Sequence, residues 1–141
     1  MEAFLGRYAA YIYAVMRIVT GFVFLWHGSQ KLFGYPPMQM PPGMPTPEFT
    51  PLMAVSGSIE LVGGLLIMIG LFTSFAAFIA SGTMAVAYWF FHFRSDAVLP
   101  LQNGGEPAVI YCFLFLYIAS RGSGLWSVES MFKGSRSGDG T

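Results

Sequence analysis

The sequence predicts an all-α integral membrane protein in which four transmembrane helices form an antiparallel bundle. Three observations carry this. Of 141 residues, 55% are hydrophobic and only 10% are charged, whereas soluble domains carry about 25% charge. The mean hydropathy is +0.59. Four apolar segments approach the roughly 20 residues that a helix needs to cross the hydrocarbon layer. Such a chain cannot cover an ordinary water-facing surface, which excludes a soluble globular enzyme and a disordered tail.

The first span is expected from about Ala10 to Phe33. Arg7 before an apolar run imitates a signal peptide. Arg17 interrupts that run, however, and no small-residue cleavage site follows, so the segment reads as a retained helix. The second span is expected from about Leu52 to Leu71 and the third from about Ser74 to Phe93, joined by a tight turn near Thr73. The fourth runs from about Pro107 to Ala119. Asn103-Gly104-Gly105 precedes it, and Pro107 suits the first helical position, where its missing N–H costs nothing. Residues 1–133 thus make one domain, and the Gly/Ser-rich stretch from Gly134 to Thr141 reads as a flexible tail.

Seven of the nine prolines fall between Gly34 and Pro51. Proline cannot continue a helix and favours extended backbone. A stiff loop is expected here, able to lie over the mouth of the bundle. Four spans place both termini on one side, together with Arg7, Arg121, Lys133 and Arg136. Lys31 and Arg94 fall on the other. Positive residues prefer the cytoplasm, so the termini are assigned there and the Pro-rich loop outside.

Seven Lys and Arg balance seven Asp and Glu. With no net charge and no basic cluster, nucleic acid is excluded as a partner. The single cysteine, Cys112, excludes an internal disulfide and a paired-cysteine redox or zinc site. No phosphate loop, dinucleotide glycine motif or hydrolase elbow is present.

Ionisable groups inside spans are costly and face the bundle interior or a wet cavity. Arg17, Thr20, Gly21, Phe24, His27, Gly28 and Lys31 follow helical steps on one face. Ser56, Glu60, Gly63 and Gly64 share a face of the second span, and Ser74, Ala77, Ser81, Tyr88 and His92 one of the third. Glu106, Ile110, Phe113 and Tyr117 share one of the fourth. By depth, His27, Lys31, Glu60, His92, Asn103 and Glu106 collect in the outer half, with Arg17 alone toward the termini. A polar pocket opening outward, partly covered by the Pro-rich loop, is expected.

Each residue also has a plainer reading. Glu60 can pair with Lys31 or Arg17 to hold the helices together and can act as a protonatable carboxylate raised by burial, and the two readings are compatible. Lys31 can snorkel, Arg17 can anchor lipid headgroups, His92 can sit in the interface, and Glu106 can stabilise a helix N-terminus. His27 and His92 differ in depth by roughly 7 Å, which does not suit a shared metal or haem. Met38, Met40 and Met44 offer soft ligands for Cu(I), or simply an apolar lid. No metal site is assigned.

Arg17 to Gly21, then His27-Gly28-Ser29-Gln30-Lys31-Leu32-Phe33-Gly34, resembles the first helix of the DoxX family. Glu60 to Gly64 through Gly70 to Thr73 resembles its second helix, and Asn103 to Glu106 with Tyr111 the start of its fourth. The resemblance covers about Tyr13 to Glu129. It implies a four-helix protein of the bacterial inner membrane. It also implies association with quinone-linked sulfur oxidation, terminal oxidases or oxidative-stress complexes. Members with thiosulfate:quinone activity are larger or work with a partner. No resident cofactor follows.

Three functions stand open. In the first, a redox-associated subunit binds quinone: His27 and Lys31 hold its oxygens, Glu60 or Glu106 relays protons, and a partner protein supplies electrons. Arg17, His92 and Asn103 complete the polar set. In the second, an oligomeric transport element lets Glu60 and Lys31 exchange partners. In the third, the chain is a scaffold for a larger membrane complex and the charges are structural.

Overall fold

The computed structural model describes residues 4–40 and 42–136. Among these it is all helical, with one isolated bridge between Arg94 and Ala97. Helix α1 spans Ala9–Phe33, α2 Pro51–Ile69, α3 Thr73–Ala87, α4 Pro100–Asn103, α5 Glu106–Arg121 and α6 Val128–Arg136. A 3-10 turn, Gly6–Tyr8, leads into α1, and a π-helical turn, Tyr88–His92, continues α3.

Local chemistry sets these boundaries. The Thr50 side chain accepts from the Met53 N–H at 3.2 Å and caps α2, with Pro51 in its first turn. Gly34 and Gly70 take the left-handed conformation that closes α1 and α2. Phe72 is also left-handed, at φ 49°. It closes the three-residue turn, Gly70 to Phe72, after which α3 starts one position earlier than the spacing suggests.

Three helices are long and apolar enough to cross a membrane: Gly6–Phe33, Pro51–Ile69 and Thr73–His92. Their outward faces carry exposed Val19, Phe22, Val62, Leu65, Phe75 and Phe78, as lipid contact requires. The protein is therefore a membrane protein. Helix α5 has 16 residues, about 24 Å of rise against the roughly 30 Å hydrocarbon core.

The core joins Tyr13 and Phe24 of α1, Ile67 of α2, Ala77, Ala80 and Met84 of α3, and Phe115 and Ile118 of α5. Helix α1 lies directly on α2. A Cβ at Gly21 would stand 2.7 Å from the Gly64 carbonyl oxygen, and one at Gly28 2.6 Å from that of Gly57. Helix α3 packs on α5, where the Ser81 hydroxyl donates to the Cys112 carbonyl at 2.7 Å. The ring of Phe24 meets that of Phe115 at 4.5 Å between centroids, so α1 reaches α5 through aromatic side chains.

Helix α5, which corresponds to the expected fourth span, presents a different face from the one expected. Glu106, Ile110, Phe113 and Tyr117 are exposed, and Ala108, Phe115 and Ile118 are buried. Polar content is a poor guide there, because the inward stripe is filled by a small residue and large apolar ones. The third span loosens into its π turn, which leaves Trp89, Phe90 and Phe91 exposed. Gly134 to Arg136, expected in the tail, belong to α6. Residues 137–141 of that tail lie outside the described residues.

Candidate functional site

The glycine seam sets the register of α1 on α2, and that register brings Lys31 to Glu60. The Lys31 Nζ lies 2.5 Å from Glu60 Oε1. The Glu60 residue is 1% exposed, and its second carboxylate oxygen, Oε2, is buried with no hydrogen-bond partner. The lysine side chain is about one-third exposed at 31%. Its charge reaches the buried carboxylate while its stem stays near the helix end. Glu60 thus has the pairing expected of an intramembrane charge and retains one acceptor unused.

This pair forms the polar end of a groove of 370 Å³ between α2 and α3. Val55, Ile59, Val86 and Phe91 make its walls, and Ser56 and Thr83 add hydroxyls. Both hydroxyls donate within their own helices, Ser56 to the Met53 carbonyl at 3.2 Å and Thr83 to the Ile79 carbonyl at 2.9 Å. Toward the groove they offer acceptor lone pairs. The groove therefore suits a molecule with an apolar body and a hydrogen-bonding head. Its described lining comes from the helices and the π turn, and none from the Pro-rich loop. That loop folds back on α1 at its start, where Ser29 and Gln30 donate to the carbonyls of Tyr35 and Pro36.

The other sequence-predicted residues do not join this pair. His27 is exposed and meets the edge of Tyr111 on α5, ring centroids 6.2 Å apart. Glu106 is also exposed and lines a separate groove of 420 Å³ between α1 and α5 with Thr20 and Tyr111. His92 Nδ1 sits 3.4 Å from the Asn103 carbonyl oxygen. The Asn103 side chain donates to the Ala97 carbonyl and accepts from the Gly105 N–H. Asn103 thus builds the turn into α5. The single outward pocket expected from depth is divided in three, because residues at one depth leave their helices in different directions.

Arg17 lies at the opposite end and is fully buried. Its Nη1 donates to the Ile67 and Met68 carbonyls at 2.6 and 2.8 Å. Its Nη2 donates to those of Leu125 and Trp126 at 3.1 and 2.8 Å. The first two carbonyls belong to the last turn of α2, where helix acceptors lack partners and negative potential collects. Arg17 is thus a joint between α1, the end of α2 and the segment after α5.

Sequence reasoning missed Gly57 and Thr83. The signal for Gly57 was present: Gly57 and Gly64 are seven residues apart, as are Gly21 and Gly28. Nothing in the sequence marks Thr83, which becomes relevant only once α2 and α3 enclose a groove. Among the described residues, no group of three or more His, Cys, Asp or Glu side chains converges to hold a metal ion.

Comparison with known proteins matches the DoxX family description to residues 12–93, from α1 through the π turn. An uncharacterized protein of Haemophilus influenzae is 39% identical over 130 residues, covering 91% of this chain and 96% of that protein. No solved structure matches. The matched region contains the glycine seam, Arg17 and the Lys31–Glu60 pair, and the chain belongs to the DoxX family.

Proposed function

We propose that this chain is a redox-associated subunit of the inner membrane that binds a quinone-type headgroup beside Glu60. In this reading α5 is a short fourth span, and the four helices form an antiparallel bundle with cytoplasmic termini. The observation that carries the proposal is the unpartnered Glu60 Oε2 at the polar end of an otherwise apolar groove. Lys31 occupies the other carboxylate oxygen, Oε1. The free oxygen is then an acceptor for a hydroxyl, such as that of a hydroquinone. As that ligand is oxidised, the O–H proton beside Glu60 passes to the carboxylate, the proton of its second O–H passes to water at the headgroup layer, and its two electrons leave to a redox centre on a partner protein. Glu106 lines the other groove and His27 packs on Tyr111, so neither is part of this step.

The cation distribution supports the assigned orientation. Lys31 is neutralised by Glu60, and Arg94 lies 3.6 Å from Asp96. At the terminal end Arg7 and Arg121 stack on tyrosine rings instead.

The test is mass spectrometry of small molecules retained by the full chain in lipid nanodiscs, wild type beside Glu60→Gln. A stoichiometric quinone present in wild type and lost in the variant supports the reading. If both proteins are folded and wild type retains none, the Lys31–Glu60 pair is a structural tie and the chain is a scaffold.

A further inference from the structure

The end of the molecule that holds Arg17 carries a surface unrelated to the groove at Glu60. We infer that this surface docks on anionic phospholipid, with α6 lying in the headgroup layer.

The segment after α5 is built to face outward. Leu125 and Trp126 turn their carbonyls inward to Arg17, which leaves their side chains 39% and 58% exposed. The Glu129 N–H donates to the Gly70 carbonyl at 3.1 Å, and its Oε1 accepts from the Thr73 N–H at 3.0 Å. These bonds fix the start of α6 against the α2–α3 turn. They also direct the only acidic side chain of α6 toward the protein. Met131 and Phe132 remain 74% and 66% exposed, and Lys133 is exposed beside them.

The start of α1 completes the patch. Tyr11 contacts Trp126, ring centroids 5.7 Å apart. Arg7 lies 4.7 Å over the Tyr8 ring, and Arg121 5.3 Å over that of Tyr13. Among the described residues, Arg7, Arg121 and Lys133 make no ion pair with a carboxylate. Free cations, amphipathic aromatics and apolar tips at the end of spanning helices match the chemistry of a charged headgroup layer. A groove of 320 Å³ runs from this patch along α1 and is lined by Leu5, Ile12, Met16 and Tyr117. It offers an acyl chain a bed, which argues for lipid over a protein partner.

The experiment places an environment-sensitive fluorophore at Met131→Cys in a Cys112→Ser background. The full chain is reconstituted in vesicles of phosphatidylcholine alone or mixed with phosphatidylglycerol, and brominated lipid and aqueous iodide serve as quenchers. Lipid quenching should dominate in the anionic vesicles and weaken at high salt. Changing Arg7, Arg121 or Lys133 to Gln should lower the inserted-to-exposed ratio about fivefold per cation, equivalent to about 1 kcal/mol per charge near the surface. Equal iodide access in both vesicles overturns the inference. So does a probe shielded from both quenchers, which would put a protein on this surface. Quinone retention does not enter the readout, so this inference and the proposed function fail independently.

Discussion

A Cβ on Gly28 would stand 2.6 Å from the carbonyl oxygen of Gly57. The two helices meet backbone to backbone there, and the same contact recurs one heptad away between Gly21 and Gly64. Small residues allow this approach in membranes, where dispersion and packing replace the hydrophobic drive between helices.

Gly28→Ala should therefore destabilise the protein by about 1–3 kcal/mol or more, because the obstacle is backbone and cannot rotate away. The control is Gly63→Ala, whose Cβ meets nothing within 4 Å. That change removes glycine from a helix interior and should be neutral or stabilising by up to about 1 kcal/mol. Thermal unfolding in detergent compares them. Equal effects at both positions would refute the seam.

Replacing Arg17 by Ala removes the donor from four carbonyls, of which, among the described residues, only that of Ile67 keeps another, the Gly70 N–H at 3.3 Å. A loss of at least about 3 kcal/mol is expected, since each buried acceptor left unmet costs roughly 1–3 kcal/mol. Lys at this position should recover only part of it, because an ammonium cannot span two pairs of carbonyls as a planar fork does. Limited proteolysis reports the order of events. Cleavage after Leu125 should appear before cleavage in the α2–α3 turn, and simultaneous cleavage would argue against a joint at Arg17.

Lys31→Met leaves Glu60 buried without its cation, whereas Lys31→Met with Glu60→Gln leaves no charge. The single change should be the more damaging, by roughly 2 kcal/mol, reduced from the fully buried range because Lys31 reaches solvent. A double-mutant cycle on unfolding midpoints measures the coupling. Additive effects would show that the pair does not interact.

Glu129→Ala removes the acceptor on the first N–H of α3. The expected cost is about 1 kcal/mol, as for other helix caps. Amide exchange at Thr73 should quicken in the variant while exchange at Ser81 is unchanged. No change at Thr73 would mean that another group caps α3.

Much of this was legible in the sequence, and the reasons are physical. Hydropathy located α1, α2 and α3 because lipid tolerates few polar groups across a span. Glu60 and Lys31 stood out because charge at that depth is expensive. The burial of Arg17 and the Gly21–Gly64 approach followed the helical stripe of α1. The pairing of His27 with Tyr111 was not legible, since helical spacing gives a direction only relative to its own axis. The inward face of α5 was misread for the same reason. Its core residue is Phe115, and phenylalanine is equally at home against lipid. Helix α6 escaped notice because nine residues containing Ser, Lys and Gly carry almost no hydropathy signal.

The groove between α2 and α3 lies between two spanning helices, with exposed Val55 and Val86 along it. A molecule reaching Glu60 by that route travels in the plane of the bilayer. Its occupancy follows its mole fraction among the lipids, so dilution with buffer leaves the site filled while dilution with fresh lipid empties it. Every lipid chain in the surrounding leaflet is also a competitor, present in vast excess. Discrimination must then rest on the head that meets Lys31 and Glu60, because all the candidates share the same kind of tail.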